Sequence, residues 1–237
     1  SPGYARKRSW LDDRFAEGLR IRMLGQRQRK RWEGERGFIE YIPGEFAWRG
    51  IEARDYMVIH CLWVVGRSRN HGGARALLDE CLADAKEAGL AGVATVTAEN
   101  GFATGRSFYE HHGFETAAAC DPSMSLMAHR FDPAARLPSF SEGVLRGPGH
   151  YADGLTVLRT DQCPYVDDAT RLIVGAAEQH GISPIAVVEL RSAAQVRQQA
   201  PTPYGSFGTV LDGQLLSYRY LTTEEFTKAV ARVHPGT

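Results

Sequence analysis

Nowhere in the 237 residues does an uninterrupted apolar run approach the roughly 20 residues of a spanning helix. The start, Ser1-Pro2-Gly3-Tyr4, lacks the apolar core of a secretory leader. A cytoplasmic protein with no membrane partner is the expectation. Cysteine is scarce: the four, at positions 61, 81, 120 and 163, form no CxxC pair and no Cys/His spacing suited to zinc. Neither a disulfide framework nor a metal centre is therefore expected. Excess charge is missing too, since 28 Lys and Arg balance 28 Asp and Glu, so no net field steers the molecule to nucleic acid or a membrane. No Gly-Lys-Ser/Thr of a Walker loop and no G-x-G-x-x-G is present.

What is present is the composition of a globular chain, with 43% apolar and 24% charged residues. Its charge is unevenly spread: residues 1–36 hold 11 basic and five acidic side chains, leaving 17 against 23 in the rest. With no aromatic-interleaved module beside it, this excess reads as a solvated face turned to an anionic ligand, not a nucleic-acid patch. Trp10, Phe15 and Leu19 share a helical face before alternation at Leu19, Ile21 and Met23 signals a strand. Residues 37–42 read as the returning strand and 56–65, YMVIHCLWVV, as a central strand buried on both faces. A helix over 74–88 follows from apolar residues at 3 and 4 spacing, then a strand over 91–98, a short helix over 105–112 and strands over 114–119 and 124–131. Residues 132–153, rich in Pro, Gly and Ser without periodicity, read as a linker. Beyond them the pattern is βαβαββα, with Asp212-Gly213 as a hairpin turn. An α/β protein with domains at 1–131 and 154–237 is expected.

The motif with most chemistry is Arg69-Asn70-His71-Gly72-Gly73-Ala74, an R-x-x-G-x-A turn between the apolar strand and a helix. Small residues let backbone N–H groups approach a pyrophosphate, and a helix N-terminus adds about half a positive charge. With Leu62-Trp63-Val64-Val65 before it and Tyr109-Glu110-His111-His112-Gly113-Phe114 after it, residues 10–131 resemble the GNAT superfamily of acyl-CoA-dependent N-acyltransferases. Asp161-Gln162-Cys163-Pro164-Tyr165-Val166 and Pro201-Thr202-Pro203 resemble the active turn and cis-proline of a thioredoxin-like domain, of the YoaP-like kind appended to some GNAT proteins. The superfamily's first strand has no counterpart, so the chain reads as truncated or as beginning late.

The resemblance implies a GNAT fold, a mixed sheet with splayed central strands, followed by a small thioredoxin-like domain. It also implies acetyl-CoA or another acyl-CoA as donor and a small amine as acceptor, with an acyl carrier protein as an alternative donor and the oligomeric state open. Donor contacts fall on Leu62, Trp63 and Val64 and on Arg69, Asn70, His71, Gly72, Gly73, Ala74 and Arg75. Tyr109 stands where the family keeps the acid that reprotonates the thiolate. The family's glutamate position falls near Val58, so His60, two residues on, becomes the candidate base, with Glu45 and Glu40 as rivals. Glu40, Glu45, Trp48 and Cys163 are the candidate acceptor contacts, with core the favoured reading of Trp48 and Trp63 over pocket wall. Val166 stands where a resolving thiol would be needed, which argues against dithiol chemistry. A pantetheine-binding protein without turnover and a monothiol redox protein using Cys163 are the alternatives.

Overall fold

The computed structural model describes residues 2–24, 36–65, 71–99, 104–121 and 123–234. The chain packs as two compact units, one of Arg14–Ala47 and Glu52–Ser139, the other of Ser1–Asp13, Trp48–Ile51 and Phe140–Thr237. It opens on α1 (Pro2–Ala16), longer than the apolar spacing suggests, and continues through β1 (Arg20–Met23), β2 (Arg36–Pro43), the short β3 (Ile51–Glu52) and β4 (Tyr56–Val65). Then come α2 (Gly73–Glu87), β5 (Gly92–Ala98), α3 (Arg106–His111), β6 (Glu115–Cys120) and β7 (Met124–Arg130). Six of these strands form one sheet in the order β1-β2-β4-β5-β7-β6. Only β4 and β5 run parallel within it.

The uniformly apolar sequence of β4 follows from its central position, with residues 56–60 and Leu62 all buried. Leu77, Leu78, Cys81 and Ala85 form the buried stripe of α2 and share a core with Ile39, Tyr41, Met57, Ile59 and Leu62. At the rim of that core Arg20 and Arg22 reach Asp84 of α2 at 2.8 and 2.9 Å, and the buried Tyr41 hydroxyl donates to the same carboxylate. Burial pushes the Asp84 carboxyl up, but the hydrogen bonds from Tyr41, Arg20 and Arg22 outweigh it and hold it at about 2. The ionised form therefore contributes stability above the ordinary carboxylate range, and the contribution is lost as pH falls from about 4 through about 2. Asp84→Asn is expected to cost about 1–2 kcal/mol at pH 7 in urea unfolding, with the gap closing toward pH 2. A pH-independent gap would mean the charge is not what holds the cluster.

The segment expected as a linker carries β8 (Ser139–Phe140) and, in the second unit, α4 (Glu142–Arg146) and a tight turn at Pro148–His150. After it come β9 (Leu155–Arg159), α5 (Val166–Gln179), β10 (Ile185–Glu189), α6 (Ala193–Gln199), β11 (Phe207–Leu211), β12 (Gln214–Ser217) and α7 (Thr223–Val233). The sheet order is β10-β9-β11-β12, with β9 parallel to β10 and β11 antiparallel to both its neighbours. Asp212 and Gly213 both take positive φ, as a two-residue hairpin with the right twist demands. The expected cis-proline at 201–203 is corrected. Among the described residues the cis bond is Ser183-Pro184, ahead of β10.

Candidate active site

Two departures from regularity in β4 build the site. Pairing with β5 runs from Tyr56/Gly92 to Ile59/Thr95 and stops, although β4 continues to Val65 and β5 to Ala98. Beyond Ile59 the two parallel strands separate, and Thr104 Oγ1 instead donates to the Leu62 carbonyl at 3.0 Å. On its other side, β4 pairs Glu40 with Cys61 but Tyr41 with Ile59, so His60 is the extra residue of a bulge. The bulge inverts the alternation: Met57 and Ile59 enter the core under α2, and after it Leu62 and Val64 do. His60 and Glu40 lie off that core and form a buried pair, Nδ1 to Oε1 3.4 Å, with 0% and 5% of their side chains exposed. A base two residues after Val58 was the expectation; its pairing with Glu40 was not.

The other wall is the start of α2. Gly72 precedes the helix with φ +79°, a left-handed conformation that costs glycine little, and supplies no side-chain cap. No acidic residue sits in the first turn, so no carboxylate of that turn neutralises the positive end of this 15-residue helix's dipole. His71 and Gly72 are exposed and Gly73 is buried. Arg75 is exposed and pairs with Asp79 at 3.5 Å. Arg69 and Asn70 lie outside the described residues.

Tyr109 comes from α3 and is 2% exposed. Phe108 and Phe114 each meet its ring edge-on at 5.2 Å between centroids. It belongs to the same core as Leu62 and Ile59, so the structure brings Tyr109, the separating stretch of β4 and the start of α2 to one side of one sheet. Trp63 takes the opposite face and is 43% exposed. Glu45 is not brought there. It lies exposed in the turn Gly44–Phe46 beyond Pro43, which pairs with Met57, four residues of β4 or about 13 Å from Cys61.

Trp48 and Cys163 belong to the second unit. Trp48 is 3% exposed and meets Trp10 of α1 edge-on at 5.4 Å. Cys163 precedes α5, and the Tyr220 hydroxyl donates to its Sγ at 2.6 Å. Val166, in the resolving position, is 1% exposed. Upstream chain crowds this turn in a way the sequence did not signal. A Cβ on Gly3 would lie 2.0 Å from the Pro164 carbonyl oxygen, and the Tyr4 ring meets Tyr165 edge-on. The buried Arg49 donates to Gln162 Oε1 at 2.7 Å and lies over the Tyr204 ring. Among the described residues no group of three His, Cys, Asp or Glu gathers as a ligand set, and no helix is long and apolar enough to cross a membrane.

The Acetyltransferase (GNAT) family model matches residues 8–114. The chain is 31% identical over 224 residues, 94% of its length and 85% of the relative's, to the uncharacterized N-acetyltransferase YoaP of Bacillus subtilis (strain 168). Solved structures similar to parts of it include the PaiA N-acetyltransferase of Thermoplasma acidophilum in complex with coenzyme A, at 20% identity and TM-score 0.32. That match covers 40% of this chain and 53% of that one. Another is a GNAT acetyltransferase of Staphylococcus aureus Mu50, at 15% identity and TM-score 0.39, covering 53% of this chain and 75% of that one. A relative matched along nearly the whole chain, together with the family match over the separating strands and the helix start, makes this protein a member of the GNAT acetyltransferase family.

Proposed function

We propose that the protein transfers an acyl group, most simply acetyl, from coenzyme A to the nitrogen of a small amine by direct attack on the thioester. The observation that carries this reading is the opening of β4 from β5 after Ile59 beside the uncapped start of α2. A pantetheine arm is a chain of amides that needs exposed strand edges, and a pyrophosphate is an anion that needs unpaired N–H groups. Backbone around Leu62 and Val64 would hold the arm and polarise the thioester carbonyl, and Gly72, Gly73 and Ala74 would face the pyrophosphate. The amine nitrogen attacks the carbonyl carbon and gives up a proton, directed to His60. The carbon–sulfur bond breaks, and the leaving thiolate takes a proton from the Tyr109 hydroxyl.

Release of free thiol from acetyl-CoA in the presence of an amine panel tests the reaction, because a protein that only binds pantetheine releases none. Gly72→Glu tests the site. A carboxylate set against the pyrophosphate should weaken coenzyme A binding by more than tenfold, above about 1.4 kcal/mol. Calorimetry finding unchanged affinity in a folded variant would remove the pyrophosphate from this turn.

For residues 154–237 we propose a thioredoxin-like module without dithiol chemistry. Its βαβαββα order and its β10-β9-β11-β12 sheet support that reading, and Val166 leaves a mixed disulfide at Cys163 with no partner thiol to resolve it. The protein should fail to reduce insulin disulfides, and Cys163→Ser should retain acyl transfer. Loss of transfer in a stable Cys163→Ser protein would make the thiol part of the chemistry.

A further inference from the structure

The sheet face turned away from α2 carries an apolar row that the reaction above leaves unused. Met23 pairs with Phe38 and Phe38 with Trp63, so the three lie side by side across β1, β2 and β4. The α2 side of these strands is taken by Ile39, Tyr41, Leu62 and Val64, and by Arg20 and Arg22 reaching Asp84. Alternation puts Met23, Phe38 and Trp63 on the other face. The Phe38 and Trp63 rings stand 6.0 Å apart, tilted by 48°. Met23, on the edge strand β1, is 72% exposed and Trp63, on the interior strand β4, is 43% exposed, a contiguous apolar surface left to water.

The location of the row says what it fits. Two residues further along β2, on the same face, stands Glu40 with its His60 partner. Trp63 itself lies on the stretch of β4 that has parted from β5. A shelf of thioether and two aromatic rings therefore ends at a buried carboxylate–imidazole pair, beside the edge where the thioester would lie. Ring faces attract an alkylammonium, and the carboxylate complements the same charge. Methionine and tryptophan bury an apolar body of irregular shape. A polyamine would instead set further charged groups against this apolar row.

We propose that Met23, Phe38 and Trp63 form the acceptor shelf and select amines whose nitrogen is carried on an aromatic or other apolar body. The assignment rests on the acyl-transfer reading for its chemistry but not for its binding, and the two are measured separately. 2-Phenylethylamine and ethanolamine, primary amines of similar basicity, are titrated into the full chain saturated with coenzyme A, and both are assayed with acetyl-CoA. 2-Phenylethylamine should bind at least tenfold tighter and show the higher kcat/KM. Met23→Ser and Phe38→Ser should each cut that preference to within about threefold, mainly through KM. Trp63→Phe, which keeps a ring, should retain most of it. Retained coenzyme A affinity certifies that each variant is folded. Selective 2-phenylethylamine binding with no thiol release would keep the shelf and overturn acyl transfer; thiol release with no preference between the amines would do the reverse. The shelf also falls if the preference survives both serine variants, if coenzyme A competes with 2-phenylethylamine, or if the chain is a dimer that Met23→Ser dissociates.

Discussion

Tyr109→Phe is expected to lower kcat by about 10²- to 10⁴-fold while leaving coenzyme A affinity in place. The substitution removes one hydroxyl and nothing else. The ring is clasped edge-on between Phe108 and Phe114 and is buried in a core with Leu62, so phenylalanine keeps those contacts. Loss of a buried hydroxyl costs folding only about 1–2 kcal/mol, which a melting curve separates from the catalytic loss. The acid acts late, when sulfur leaves, so the defect should deepen with an acyl donor whose thiol is a poorer leaving group. Binding of coenzyme A should not respond, because the donor contacts proposed above are backbone groups of β4 and α2. A variant with wild-type kcat would demote Tyr109 to a core residue and leave the thiolate to be protonated by solvent.

Much of this arrangement could be read from residue order, and what could not shares a physical cause. The limits of β4 match the apolar run 56–65, and α2 follows the spacing of Leu77, Leu78, Cys81 and Ala85, because both patterns are set by neighbours in sequence. Asp212-Gly213 likewise announces its own turn. The bulge at His60 leaves no such trace. In a strand buried on both faces, polar and apolar positions do not alternate, so a one-residue slip disturbs no visible period. Glu40 was legible as a carboxylate on a strand but not as the partner of His60, since that depends on the register the bulge creates. The grouping of α1 and of Trp48–Ile51 with the second unit is set by partners more than 100 residues away in sequence, such as Gln162 for Arg49. The family pattern implies a cis proline at 201–203, whereas among the described residues the cis bond is Ser183-Pro184. Composition likewise hid the short helix α4, because five residues are too few to show a period.

The pairing of His60 with Glu40 makes the base testable by two substitutions with opposite signatures. If His60 takes the amine's proton, kcat/KM should rise with pH through a single titration, and His60→Gln should lower kcat/KM by about 10²-fold or more and abolish that limb. The Glu40 carboxylate lies 3.4 Å from Nδ1 of the buried imidazole. Glu40→Gln removes that charge while keeping the shape, so the imidazole should lose its proton more readily and the limb should move to lower pH without disappearing. A base that is easier to free is also weaker, and the plateau above the limb should therefore fall, most for the most basic amines. A less basic amine should rescue His60→Gln in part, because more of it is already unprotonated when it binds, but should not rescue Tyr109→Phe. An unchanged limb in His60→Gln would pass the proton to Glu40 or to water, since Glu45 lies too far along the sheet. A limb that vanishes in both Glu40→Gln and His60→Gln would mean that the carboxylate is itself the proton acceptor, with the buried imidazole holding it in place.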